Sequence, residues 1–292
     1  MQTPLIFWLD GLTDIGNRRK NNEDAWWAGQ PGTTATCFME PAAEPLQLDP
    51  ASAPALLLVS DGVGGTNAGE VASRMAVQHV AEELARHTRQ MRERKSAEAV
   101  IRAALVSANQ AILAKAAEPE CEGMGATLSL LCLTGGDAVW WAQVGDSRIY
   151  VCRQGRLRQI SHDHSPVGRM RQQGKISEAE ARVHPLRNQI DQSFGDPANP
   201  FTPEVGAEPC ETGDVFLLCS DGLSDGLWDR EIEEVLAGVR TPAEVRPAVQ
   251  RLVATAKAAS GRDNITAVLV LVVGKPAPSP TPSTGWRRWI GL

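Results

Sequence analysis

The chain has 292 residues, 42% of them hydrophobic and 22% charged, which is enough apolar material for one large core or two small ones. Its formal charge of −6 argues against a general nucleic-acid binder, whose affinity would rest on clustered Lys and Arg. No uninterrupted apolar run approaches the ~20 residues of a membrane helix, and six cysteines without a CxxC pair point to reduced, structural thiols in place of zinc ligands or disulfides.

The opening "MQTPLIFWLDG" is short and lacks a basic leader, so it reads as a strand and not a signal peptide; a cytoplasmic location is expected. Residues 5–29 predict two short strands around "TDIGNRRKNNED". Residues 30–54, rich in Pro, Ala and Thr without periodicity, predict a long surface loop. "ALLLVSDG" follows as a buried strand. Val71, Met75, Ala76, Val80 and Leu84 then recur at helical spacing, and Val100, Ile101, Leu105, Ala108 and Ile112 mark a second helix over 97–117.

Over 126–160 the period switches. "ATLSLLCL", "DAVWWAQV", "SRIYVC" and "RLRQI", separated by Thr-Gly-Gly, Gly-Asp and Gln-Gly, read as an antiparallel meander. In the pairs Trp26-Trp27 and Trp140-Trp141, one ring is expected toward the core and the other toward a helix layer or solvent. Residues 161–200 are polar and carry a capping box at Ser177 to Glu180. "DVFLLCSDG" returns to strand. Asp229 is expected to cap a helix ending at Gly238, and Thr241-Pro242 to open another reaching about Ser260, kinked or delayed by Pro247. "NITAVLVLVV" closes as a strand. Helices in consecutive groups and strands in meanders predict α+β with antiparallel sheets, not alternating βαβ units.

Two apolar runs end alike, "VSDGVGG" at Val59–Gly65 and "CSDGLSDG" at Cys219–Gly226, so Asp61 and Asp221 are expected to be placed alike. Asp146 in "VGDSRIY" and Asp263 in "GRDNITAV" also sit at strand borders. Carboxylates brought together repel unless a hard divalent cation compensates them, and oxygen-only ligands favour magnesium or manganese over zinc. One Asp-Gly alone is most often only a turn; the ordered set carries the signal.

That set, "RRKNNED", "SDGVGG", "GEVAS", "GATL", "VGDSR", "LLCSDGLSD" and "RDNITAV", resembles the bacterial branch of the PP2C-type (PPM family) metal-dependent Ser/Thr protein phosphatases, over roughly residues 10–273. The resemblance implies an α-β-β-α sandwich of two antiparallel sheets with helices outside, as one domain over residues 1–273, with 30–54 as a loop insertion and 161–200 as a flap. It implies two tightly bound Mn2+ or Mg2+ ions and a weaker third. Asp61 would bridge the pair, the Gly62 carbonyl would bind the second ion, Asp221 and Asp263 the first, and Asp146 with Asp221 the third. Glu23 matches an acidic residue acting through metal-bound water, and Arg19 the arginine that clamps substrate phosphate. The implied activity is hydrolysis of phosphoserine and phosphothreonine in proteins by a metal-activated water, opposing a bacterial Ser/Thr kinase.

Val63 stands where many animal relatives carry the His proposed as general acid. The proton donor is left open between a metal-bound water and His162, His164 or His184, the histidines reading first as flap residues bonded to backbone or water. A non-catalytic phosphoprotein binder and a small-ester phosphohydrolase are the alternatives; the complete aspartate set speaks against the former. Residues 274–292, "GKPAPSPTPSTGWRRWIGL" from Gly274, read as a proline-rich tether with a Trp/Arg end, either a disordered tail or a docking element for a protein partner.

Overall fold

In the computed structural model, which describes residues 4–31, 36–38, 44–51, 53–63 and 68–275, the chain opens with strands β1 (Leu5–Asp14) and β2 (Ala25–Gly29). Short strands β3 (Thr36–Phe38) and β4 (Leu46–Leu48) precede β5 (Ala55–Ser60) and β6 (Gly62–Val63). Helices α1 (Gly69–Ala85), α2 (Thr88–Met91) and α3 (Arg94–Ala116) follow. Next come β7 (Gly125–Ala126), β8 (Leu128–Leu133), β9 (Ala138–Val144), β10 (Arg148–Arg153) and β11 (Arg156–Gln159). The polar segment holds helices α4 (Pro166–Gln172) and α5 (Glu178–Val183). Strands β12 (Glu204–Pro209) and β13 (Val215–Cys219), helices α6 (Asp221–Gly226), α7 (Asp229–Leu236) and α8 (Pro242–Ala259), and strand β14 (Ile265–Gly274) complete the described chain.

The strands form two six-stranded sheets, β11-β10-β13-β14-β1-β4 and β12-β9-β8-β5-β2-β3. Every pairing within them is antiparallel. Central strands are apolar at every position because both faces are covered. In β5, Leu57 and Val59 face the other sheet while Leu56 and Leu58 face α1 and α3. In β14, Val268, Val270 and Val272 face between the sheets while Ala267, Leu269 and Leu271 meet α7 and α8. Three apolar layers result, which is the expected α-β-β-α order.

Each tryptophan pair divides as its strand period requires. Trp26 and Trp141 lie between the sheets, and Trp27 and Trp140 pack on the α1/α3 side. Within α3, the stretch Lys95–Ala116 is long and apolar enough by composition to cross a membrane. Here Ala97, Ile101, Leu105, Ala108 and Ile112 are buried in the core instead. Cys121, Cys132, Cys152, Cys210 and Cys219 are free and buried, as small hydrophobes.

Three local expectations need correction. The 30–54 segment is not only loop, since β3 and β4 each extend an edge of one sheet; both are three residues long, too short to show a period. Asp229 is the first helical residue and not the cap. Its carboxylate pairs with Arg171, while the Trp228 N–H is taken by Glu231 Oε2 at 2.8 Å. Pro247 does not delay α8, which starts at Pro242 and runs through it. Thr241 and Glu244 form the capping box that starts this helix, and a box also starts α5 at Ser177. The Trp/Arg tail lies outside the described residues.

Candidate active site

Asp61 follows the last residue of β5, and Asp221 follows Ser220 at the end of β13 as the first residue of α6. These strands belong to different sheets, so the sandwich brings both carboxylates to one end. Asp146, in the β9–β10 turn, and Asp263, just before β14, arrive at the same end. All four line a single cavity of about 730 Å³ together with Arg19, Glu23, Gly62, Val63 and Asp225. The flap contributes Arg187, Asn188 and Ile190 to its wall. The flap is tied to α6 by Arg182, which donates to the carbonyls of Ser224 (2.8 Å) and Asp225 (2.9 Å).

The loop before β2 is fastened by Asn264. Its Nδ2 donates to the carbonyls of Ile15 and Asn21, both at 3.0 Å, and its Oδ1 accepts from the Glu23 N–H at 2.8 Å. The Glu23 carbonyl in turn accepts from the Gly62 N–H at 3.1 Å. Gly62 has no room for a side chain, because a Cβ would press into the Gly69 backbone. Arg19, half-exposed at the rim, pairs with Asp263 at 2.6 Å and lies 3.9 Å from Glu23.

Burial pushes the Asp61 carboxyl well above the usual range, and the charges of Asp24, Asp221, Asp263 and Asp146 push it further. Asp221 is raised for the same reasons, with burial first and then Asp146, Asp225 and Asp263. Burial and Asp163 bring Asp146 up to about 7 against the opposing pull of Arg148. Burial also raises Glu23, against Arg19. These groups resist ionising together, so the site lacks positive charge.

The residues fit hard divalent cations by their chemistry. The donors are all oxygen, and the buried Oδ1 atoms of Asp24 and Asp221 have no hydrogen-bond partner among the described residues. They do not form a finished cage. Among the described residues no three acidic, His or Cys side chains close around one point, and Asp263 is turned to the Arg19 guanidinium.

A comparison of the sequence with known families matches residues 47–270 to protein phosphatase 2C. The chain belongs to this family. The serine/threonine protein phosphatase PstP of Mycobacterium tuberculosis is 34% identical over 270 residues, covering 92% of this chain and 46% of that protein. This chain thus spans about half the length of that relative. The protein phosphatase PhpP of Streptococcus pneumoniae is 31% identical, covering 89% of this chain and 95% of that protein. Among solved structures, the serine/threonine phosphatase of S. agalactiae superposes with a TM-score of 0.74 at 32% identity, over 91% of this chain and 99% of that one. The catalytic domain of PstP in complex with two manganese ions gives 0.70 at 31% identity, over 92% and 99%. The family's sandwich is the fold seen here.

Three residues in the site escaped the sequence reading. Asp24 is buried, and its Oδ2 accepts from Ser220 Oγ (2.7 Å) and Thr266 Oγ1 (2.6 Å). Burial holds it at about 6 against those two bonds, and it is close enough to Asp61 to share a proton. It abuts the apolar run "AWWAG", the same strand-border signal that marked the other aspartates. Asp225 lies one helical turn beyond Asp221 on α6, a spacing visible in "SDGLSD". Asn264 stands in "RDNITAV" but has no signal of its own. None of the three flap histidines lines the cavity. His162 bonds Glu204 at 2.6 Å, His164 Nδ1 accepts from the Gly145 N–H at 3.3 Å, and His184 Nδ1 from the Leu186 N–H at 3.1 Å.

Proposed function

We propose that the chain is a metal-dependent phosphatase that hydrolyses phosphoserine and phosphothreonine in proteins. The observation that carries this reading is the convergence of Asp61, Asp146, Asp221 and Asp263 on one cavity with Arg19 at its rim. Asp61, the Gly62 carbonyl, Asp221 and Asp263 would hold two tight ions, manganese or magnesium, and Asp146 a weaker third; Glu23 would act from behind the ligands. Such ions supply hydroxide near neutral pH and stabilise charge on phosphoryl oxygens.

The chain's own groups do the rest. Arg19 presents a planar fork that matches two phosphate oxygens, and its present hold on Asp263 keeps it at the rim where a phosphate meets it. With phosphorus fixed by Arg19, attack in line needs no phospho-enzyme. Val63 cannot donate a proton and the flap histidines are engaged elsewhere, so the departing oxygen takes its proton from water in the cavity. The printed names of the relatives, Ser/Thr protein phosphatases, support the substrate class. The manganese complex of PstP supports the two-ion count. The same reading has the enzyme oppose a Ser/Thr kinase in the cytoplasm.

The test is turnover of an aryl phosphate and of phosphoserine and phosphothreonine peptides by the full chain. Chelation should abolish it, manganese or magnesium should restore it, and Arg19→Ala should raise KM by about tenfold with a smaller loss in kcat. Turnover that survives exhaustive chelation would exclude the reading.

A further inference from the structure

The turn carrying Asp146 is Gly145-Asp146-Ser147, and it is tightly specified. Gly145 has φ +87°, and a Cβ there would lie 2.6 Å from Thr127 Cγ2. Beneath the turn sits Gln143, the next-to-last residue of β9 and fully buried. Its Nε2 donates to the carbonyls of Ser147 (2.5 Å) and Gly145 (3.2 Å), and its Oε1 accepts from Ser129 Oγ at 2.7 Å. Both partners of the nitrogen are carbonyls, which can only accept, so the amide's orientation is fixed by chemistry.

One side chain therefore holds the two peptide carbonyls that flank Asp146, while the Asp146 carboxylate is left to line the cavity. The chain of bonds continues. Ser147 Oγ meets Thr127 Oγ1 at 2.6 Å, and Thr127 Oγ1 accepts from the Asp61 N–H at 3.0 Å. Ser129, Gln143, Ser147 and Thr127 are all fully buried, so water cannot replace a missing member.

We infer that Gln143 is a positioning residue: its amide sets where Asp146 stands relative to Asp61, and so sets retention of the ion at Asp146. This rests on the reading of Asp146 as an ion ligand. Groups that orient metal ligands typically cost ~10–100-fold in metal affinity or activity when removed. Gln143→Met keeps the length and burial of the side chain and removes both donors.

The full chain should be compared with Gln143→Met, Gln143→Asn, Ser129→Ala and Asp146→Asn. In Gln143→Met, the manganese concentration for half-maximal turnover should rise and kcat should fall, each by ~10-fold, while KM for an aryl phosphate stays within about twofold. In metal-free protein, amide hydrogens of residues 145–148 should exchange about tenfold faster, because local opening no longer breaks the two bonds. Gln143→Asn keeps an amide one methylene shorter and should fall between. Ser129→Ala loses a buried hydrogen bond in the same layer without touching either carbonyl, and should shift each readout by less than about threefold.

If Asp146→Asn leaves the manganese dependence unchanged, the ligand reading of Asp146 fails. If Asp146→Asn shifts it but folded Gln143→Met does not, or if Ser129→Ala matches Gln143→Met, the positioning role of Gln143 is overturned. Should Gln143→Met not fold, the same readouts on Gln143→Asn decide, and wild-type values there would overturn the role.

Discussion

Ser60-Asp61-Gly62 and Ser220-Asp221-Gly222 are the same tripeptide at the end of an interior strand, one in each sheet. Both serines are fully buried and both aspartates are half-buried at the cavity. Both glycines are pressed against backbone, Gly62 by Gly69 and Gly222 by the Asn264 carbonyl. Beyond the glycine they part. Gly62-Val63 pairs as β6 with β7, whereas Asp221 opens α6. Their serines serve different partners as well. Ser60 Oγ donates to the Thr127 carbonyl at 2.6 Å, while Ser220 Oγ donates to the Asp24 carboxylate at 2.7 Å and accepts from the Thr266 N–H at 3.0 Å. The shared tripeptide delivers a carboxylate to the end of a sheet; what it joins is decided by the neighbouring strand.

The comparison breaks most visibly at the aspartates. Asp61→Asn and Asp221→Asn should each lower turnover by about three orders of magnitude, roughly 4 kcal/mol of barrier, and should agree within tenfold. Near-wild-type turnover in either variant would show that only one sheet feeds the site. The glycines come next. Gly62→Ala and Gly222→Ala each force a methyl into backbone, at a cost of about 3 kcal/mol. That should lower Tm by about 6–12 °C for a domain of this size. Gly136→Ala is the control, since a Cβ there meets only Thr134 Oγ1 at 3.9 Å; a melt as low as that of Gly222→Ala would remove the steric argument.

The likeness of the two segments was legible because both end an apolar run, and their difference was not. In "DGVGG" and "DGLSDG" nothing local tells a two-residue strand from a six-residue helix. The helix is held by packing of Leu223 with Leu252 and Val253 in a common layer, a contact separated by about thirty residues. Asp24 was hidden by its neighbour: the motif drew attention to Glu23, while the buried carboxylate beside it is recognised only through Ser220 and Thr266, which the fold brings from 196 and 242 residues away. The pairing of Arg19 with Asp263 is likewise a product of the loop that Asn264 fastens. By contrast, the two-sided burial of β5 and β14 was plain in their continuous apolar runs.

A third test sharpens the comparison through pH. Asp24, beside Ser220, and Asp146, beside Asp221 in the cavity, are held at about 6 and about 7. Both lie above the unfolded value near 4, so between about pH 4 and 7 the folded chain binds protons that the unfolded chain releases. Stability of the metal-free protein should therefore rise as pH falls through that window and drop as pH rises through it, by about 2 kcal/mol between pH 5 and 8. Manganese should flatten the trend by supplying the missing charge. Urea unfolding across this range, with and without the ion, checks it; a metal-free protein that loses stability from pH 7 to 5 contradicts the sign.

The smallest expected effect separates the two serines. Ser60→Ala removes a hydroxyl from a carbonyl that accepts through its other lone pair or relaxes, and should cost about 1 kcal/mol. Ser220→Ala leaves the buried Asp24 carboxylate with only the Thr266 hydroxyl and strips the Thr266 N–H of its acceptor. Bonds to charged groups are the stronger kind, so this variant should cost about 2 kcal/mol. Urea midpoints at unchanged slope measure the difference, in metal-free protein at pH 8 where Asp24 is ionised. At pH 5, with Asp24 protonated and able to donate, the gap should narrow. Equal costs at both pH values would mean that Ser220, like Ser60, serves only the end of its own strand, and that Asp24 is held by Thr266 alone.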